Sequence, residues 1–583
     1  MFTRPQFARL LAIQTLVFLH PSWLSLPAGL SGELPPPYLV EIRNYDWRAD
    51  RQAEISALVA DSAPAGRLPR DTETQIAERI VWKFDVGNSD YVTGVASCLE
   101  FDGTVHKFLF RTMPGEDEFH RVVAAELKRR GPNARMEGTG VKVRLISPVE
   151  YREIGDGIRA KIATKDFYWT RKNGVFLSDD TKRVFDVPTA HLTDHIKRGR
   201  GKDWYAYVDP SSTPRAARDL LIRQFETQTS VRMQQRDGEA ETKHAVRRLF
   251  GQNAIDLTEI LWTDVTSVIA DWKYPSGTKP LKAHAIVNVQ PKSELSALIR
   301  ELRTSGGARS SVPQSADVSV SVNMRLPEMV RDSMKALVTN SLLHQTSAGR
   351  VLEDTIDEGD VRLSAWIKVN DDDATIHAVS PVSAEAVPST ELTSLFGGTV
   401  NEAGEAIVPL NVPFFGDVWP AKQVGAKIDN GQLRLSMPLD ENEPSTKLTE
   451  EATTAITPDT LVLIRGDLSL WAADEDAPND ETESPGKSVF GHLEKLYQHW
   501  MVYRLPKRIR FLWFRSESPS IPVTSLFENL RADGDNRFEI RLTANRTGTE
   551  LRADCTVGRE LYGLLMARQM LSGIDVEKAE SER

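Results

Sequence analysis

Cysteine is almost missing from this chain of 583 residues, which has only Cys98 and Cys555. Two thiols cannot build a disulfide framework or an all-thiolate zinc site, although they could pair in an oxidising compartment if the fold joins the chain's two ends. A basic excess is missing too. The formal net charge is −10, which argues against a nucleic-acid partner, because a phosphate backbone rewards clustered Lys and Arg. No G-x-S-x-G elbow, P-loop or dinucleotide G-x-G-x-x-G occurs, so no cofactor is expected and no catalytic residue can be assigned.

What is present suits a globular protein. Hydrophobic residues make up 40% and charged residues 26%, enough apolar material for real cores, and the length calls for at least two domains. Arg4 and Arg9 precede an apolar run, Leu10 to Leu19, followed by Pro21, Ser22 and small residues from Ala28 to Gly32. A charged start, a short apolar stretch and small residues near a cleavage point describe a secretory signal over residues 1–32. Nothing later is long enough to span a bilayer as a helix. The expectation is a mature chain without a transmembrane helix in an extracytoplasmic space, periplasmic or secreted.

Spacing predicts several helices. Leu295, Leu298, Ile299 and Leu302 follow the i, i+3, i+4, i+7 rule, as do Val489, Leu493, Leu496, Tyr497 and Trp500, and also Phe119, Val122, Val123 and Leu127. Another set, Ala217 to Phe225, is entered through Ser211, Ser212 and Pro214, and Val330 to Val338 follow Pro327. Period-two alternation predicts strands over Val361 to Val369, Phe538 to Ala544 and Leu551 to Val557. Each has one apolar face, which suits an antiparallel sheet with helices packed on one face.

The chain also resembles itself. AGRLPRDT (Ala65 to Thr72) returns as AGRVLEDT (Ala348 to Thr355), a shift of 349 − 66 = 283, and residues 78–97 continue that register over 361–380. ISALVADS matches MKALVTNS at 334 − 55 = 279. The Asn173-Gly174 hairpin matches Asn430-Gly431, and WYAYVDP (Trp204 to Pro210) matches LVLIRGD (Leu461 to Asp467), both 257 apart (430 − 173). SELSALIREL matches RELYGLLMAR at 559 − 293 = 266. The matches keep one order and agree in element type, which is the mark of duplication. The fold class is therefore α+β, two diverged copies of a long unit, each with two βαββα-like passages. The first copy covers 38–304 and the second 316–571, with 305–315 a linker and 572–583 a charged tail. The second copy carries a Pro/Gly-rich connector at 397–444 and an acidic loop at 474–485. Gly66 and Gly349 are expected as left-handed helix caps, with Arg67, Asp71, Arg350 and Asp354 fixing the adjoining turns.

Few segments suggest chemistry. His191 and His195 share a helical face, with Asp194 beside the second, and this spacing resembles the inverted zinc-peptidase motif H-x-x-E-H with Asp in place of Glu. The shorter side chain leaves the base about one bond too far from a metal-bound water, and the second copy has no histidine there, so an amphipathic helix without metal is expected. The acidic loop has Pro478 after Asp474 and Asp476 and no Gly at its bend, unlike a calcium loop. Basic-aromatic RLPKRIRFLWFR offers Arg504, Lys507, Arg508, Arg510, Trp513 and Arg515 as a possible interaction surface for an anionic polymer or another envelope protein; a buried strand with charged ends is the plainer reading.

The signal, the NGVFLSDD hairpin with its following short helix, and the WYAYVDP strand together resemble uncharacterised exported bacterial proteins in which α+β units recur after a signal peptide. That resemblance implies no activity. The expected function is a non-enzymatic binding or scaffold protein of the cell envelope, with a groove between its two copies. The alternatives are a hydrolase acting on envelope polymers through dispersed residues, or a docking subunit of an envelope or export assembly.

Overall fold

Two kinds of local signal set the described elements: alternation of apolar and polar residues for the strands, and capped apolar stripes for the helices. The computed structural model describes residues 34–44, 92–100, 105–112, 117, 120–121, 124, 135–138, 142–146, 150–154, 158–162, 167–179, 182–235, 241–304, 309–313, 316–339, 347–369, 374–382, 387–409, 423–438, 453–457, 459–469 and 534–564. Outside them lie the signal segment, Gly66, Arg67, Asp71, the strand expected at Arg79 to Val86, the acidic loop, the helix expected at Val489 to Trp500, the basic-aromatic stretch and the charged tail.

The chain opens with β1 (Leu39–Asn44), β2 (Val92–Leu99) and β3 (Val105–Thr112). A connector follows, made of β4 (Arg135–Glu137), β5 (Lys142–Ile146), β6 (Glu150–Ile154), β7 (Ile158–Ile162), β8 (Phe167–Lys172) and β9 (Val175–Asp179). Helix α1 (Thr189–Gly199) precedes β10 (Trp204–Val208). The pair α2 (Arg215–Met233) and α3 (Glu241–Asp264) leads to β11 (Val265–Lys273), β12 (Leu281–Val289) and α4 (Glu294–Glu301).

The second half begins with β13 (Arg309–Pro313), β14 (Val318–Arg325), α5 (Glu328–Thr339), α6 (Ser347–Glu358), β15 (Asp360–Val369) and β16 (Ala374–Pro381). After α7 (Ser389–Phe396) come β17 (Thr399–Val400), β18 (Ala406–Pro409), β19 (Gln423–Asp429) and β20 (Gln432–Pro438). The last strands are β21 (Thr453–Ala455), β22 (Thr460–Asp467), β23 (Arg537–Ala544) and β24 (Glu550–Val557), followed by helical residues 559–564.

Among the described residues the architecture is α+β and dominated by one antiparallel sheet of 20 strands, with β6–β7 and β13–β21 as separate ribbons. Its midpoint is the β12–β24 pair. Outward from β12 the order is β11, β10, β1, β2, β3, β9, β8, β5, β4. Outward from β24 it is β23, β22, β14, β15, β16, β20, β19, β18, β17. Both directions visit their strands in the same relative chain order. The hairpins β8–β9 and β19–β20 turn on Asn173-Gly174 and Asn430-Gly431, all four residues at positive φ (53°, 72°, 49° and 68°), as a two-residue type I′ turn requires.

Several expectations need correction. Helices are not confined to one face: Leu192 and Ile196 of α1 pack with Val40, Ile42 and Tyr205, whereas Leu295 and Ile299 of α4 pack with Val268 and Val289. Strands such as WYAYV are apolar at every position, so both of their faces must be covered. Gly349 is no cap. It lies with Arg350 and Asp354 inside α6, a position that costs only about 1 kcal/mol relative to Ala. The left-handed glycine is Gly359 (φ 72°), whose N–H bonds to the Thr355 carbonyl. The stretch read as a linker contains β13, which pairs with β21 and buries Val312 against Trp366 and Val379. Finally, residues 92–97 fall in β2, which lies between β1 and β3, whereas residues 375–380, matched to them in the sequence, fall in β16, which lies between β15 and β20.

The cysteines do not meet. Cys98 in β2 and Cys555 in β24 form no disulfide and lie five strand spacings apart, roughly 24 Å, far beyond disulfide reach. Among the described residues no helix is long and apolar enough to cross a membrane.

Gly94 in β2 lies directly opposite Phe110, whose buried ring covers it. A Cβ there would stand 2.4 Å from that ring and 2.3 Å from the Glu41 carbonyl oxygen. Gly94→Ala should therefore lower stability by about 2 kcal/mol, read from urea unfolding; a loss under about 0.5 kcal/mol would contradict this packing.

Candidate functional site

On β11, β12, β24 and β23, side chains alternate between the two faces, and one face carries charge where apolar residues would be usual. Six residues stand in one cross-strand row: Tyr205, Asp271, His284, Asp554, Arg541 and Leu463, each paired with the next. The row is apolar or aromatic at its ends and ionisable across its middle. On one side α1 covers the sheet through Leu192 and Ile196, and on the other the β13–β21 ribbon covers Trp366 and Val379. Between these covers the His284 and Asp554 side chains remain 30% and 31% exposed.

Carboxylates organise this strip. Asp554 Oδ1 lies 2.6 Å from His284 Nδ1, and both Asp554 oxygens accept from Arg552 Nε at 2.9 Å. An ionised carboxylate can only accept, so His284 donates to it through Nδ1–H. Asp271 takes Lys202 Nζ at 2.8 Å, and Glu539 takes Arg541 Nη2 at 2.9 Å. Charge-assisted contacts of this kind hold cationic groups in place at little entropic cost to a ligand that meets them. Cys555, next in sequence to Asp554, belongs to the opposite face, where it packs with Ala283 and Trp272.

The residues singled out in the sequence are placed elsewhere. His191 is exposed on α1, Asp194 pairs loosely with Lys197 at 3.7 Å, and His195 is buried with Nδ1 3.2 Å from the Tyr205 hydroxyl. The two histidines therefore do not share an open site. Burial, reinforced by Arg198 and His191, pushes the His195 pKa down to about 4 against smaller opposing effects of Asp194 and Asp209. Arg350 and Asp354 are exposed on α6. Arg504, Lys507, Arg508, Arg510, Trp513 and Arg515 fall outside the described residues.

A second polar cluster escaped the sequence reading. Buried Glu100, at the end of β2, accepts from His106 Nε2 at 2.8 Å and from Arg183 Nε and Nη2 at 3.0 and 2.8 Å. Burial works against the Arg183 charge, but Glu100 and Asp186 outweigh it and raise its pKa. These contacts tie the turn at Lys182–Asp186 to the β2–β3 hairpin. Nearby Cys98 is pushed up to about 12 by burial and then by Glu100, so it is a core thiol and not a nucleophile. On the other face of the sheet Trp204 stacks on Trp272 (centroids 4.1 Å apart), and Tyr274 meets Tyr562 across the midpoint.

The chain matches no family model, no curated protein and no solved structure.

Burial of neutral His195 has a consequence for pH. Its folded pKa, about 4, lies below the unfolded value near 6.5, so its contribution is complete above about pH 6.5 and is lost as pH falls toward 4. Urea unfolding at pH 7 and pH 4.5 should show wild type losing on the order of 2 kcal/mol more than His195→Gln over that interval, after allowance for solvent screening. Equal losses in the two proteins would contradict a buried neutral imidazole.

Proposed function

We propose that this chain is a binding or scaffold protein of the cell envelope, exported by its N-terminal signal, with two diverged copies of one unit that take a ligand at the seam between them. The observation that carries this reading is the half-exposed row Asp271, His284, Asp554 and Arg541 at the β12–β24 junction. Junctions between similar domains are common places for ligands, and polar groups already fixed by neighbours lower the ordering cost of binding.

Register supports the duplication. The two Asn-Gly turns are 257 residues apart (430 − 173). Following the pairings inward from them, strand by strand, brings the shift to 270 at β12 and β24. The difference 554 − 284 is also 270, so His284 and Asp554 are each other's counterparts and sit on the pseudo-two-fold axis. By the same shift Asp271 corresponds to Arg541 and Lys282 to Arg552. The matched segments WYAYVDP and LVLIRGD fall on β10 and β22, which hold equivalent places in the order. Identical copies would set like groups against each other across the axis. Divergence to His and Asp, and to Asp and Arg, replaces that repulsion with attraction.

Thermal shift against envelope polymers tests the reading, with neutral and acidic glycans, peptidoglycan fragments and acidic peptides as the panel. At least one should raise the Tm of the wild-type protein, and raise it less for the folded double variant His284→Ala, Arg541→Ala. A panel without effect, or an effect that the double variant keeps in full, would contradict it.

A further inference from the structure

The next row of the same face is distributed differently in charge. Lys273 and Lys282 stand directly opposite each other, both exposed, and Thr556, Glu539 and Arg465 continue the row. In the His284 row and beside it, Lys202, Arg541 and Arg552 are each neutralised by a carboxylate. Among the described residues no ion pair joins Lys273, Lys282 or Arg465 to a carboxylate: Glu539, directly opposite Arg465, pairs with Arg541, and the Arg465 Nε bonds to the Ser319 hydroxyl at 3.3 Å. These three cations share one row. Like charges directly opposite on a sheet destabilise it, and a chain of net charge −10 has carboxylates to spare for neutralising them. A lysine pair left in this state is stabilised when an outside anion arrives.

We propose that this row binds a linear acidic polysaccharide bearing carboxylates, an assignment that rests on the seam being the ligand surface. The spacing favours a polymer over a single small anion. Lys273 and Lys282 are one strand spacing apart and Arg465 lies three strands beyond Lys282, so the cations span roughly 19 Å. Two anionic groups about 5 Å apart and a third about 14 Å further would meet all three. The hydroxyl of Thr556, directly opposite Lys282, can donate to and accept from a hydroxylated chain, whereas buried Ser319 serves Arg465. Lysine suits such a ligand because its ammonium is a compact charge on a mobile stem and demands no planar bidentate partner.

Binding of fluorescent oligogalacturonate to the full-length protein, followed by anisotropy at low and at physiological salt, tests this. The oligomer should bind, more weakly as salt screens the contact. Lys273→Glu, Lys282→Glu together should weaken it by tenfold or more, while Arg215→Glu on exposed α2 leaves it unchanged. Circular dichroism and Tm establish that both variants are folded. Absence of binding, or equal weakening by Arg215→Glu, would overturn the proposal. So would poly-glutamate binding as tightly through the same lysines, which would assign the row to acidic peptides. If oligogalacturonate fails while another panel polymer still depends on His284 and Arg541, this inference falls and the seam reading survives.

Discussion

The ladder between β12 and β24 makes one sheet out of two. Without it each half would end in a long, well-formed strand with a row of unpaired amide and carbonyl groups, an aggregation hazard. Leu281 through Asn288 pair in unbroken register with Val557 through Glu550, so each half covers the other's edge. Contacts off the ladder reinforce it: Tyr274 against Tyr562, the Arg559 guanidinium on the Gly277 carbonyl, and the Ser296 hydroxyl on the Thr547 carbonyl. These contacts join the middle of the chain to a segment near its end, so the junction forms only when both halves have folded.

Burial leaves the junction as one place where a row of charge stands on the sheet. Toward the first half, β10 is apolar on both faces, and this part of the sheet is covered by α1 on one and by α2 and α4 on the other. Toward the second half, Trp366 and Val379 lie under the β13–β21 ribbon. Among the described residues these covers stop short of the middle of the four strands between, where Asp271, His284, Asp554 and Arg541 stand on the open face. Paired charges there are half-exposed, so they contribute little to stability, typically under about 1 kcal/mol each. On the proposed reading, their organisation prepares the seam for a ligand.

Much of the fold was legible in local pattern. The alternation in Val361 to Val369, Phe538 to Ala544 and Leu551 to Val557 appears as β15, β23 and β24, and the capped stripe after Ser293 as α4. Both Asn-Gly turns are hairpins because only Asn and Gly take positive φ at both central positions cheaply. What escaped lacked a clean period. α3 mixes exposed Leu257 and Leu261 with buried Ile260 and Trp262, which blurs its stripe. β13 is short and mostly polar and owes its strand conformation to β21. The seam was out of reach for a different reason. LKAHAIVNV and ELRADCTV each show a wet face, but nothing local says that one wet face will stand beside the other across 270 residues (554 − 284).

The β12–β24 register can be measured with one substitution, because Ala283 lies directly opposite the native thiol of Cys555. Cross-strand partners have Cα atoms about 4.5–5.5 Å apart, within the range a disulfide spans. Oxidised Ala283→Cys protein, digested and mapped by mass spectrometry, should yield an intrachain peptide joining residues 283 and 555, with Cys98 still reduced. An unlinked Cys555, or a bond from the introduced thiol to Cys98 or to another molecule, would contradict a single sheet joined at this seam.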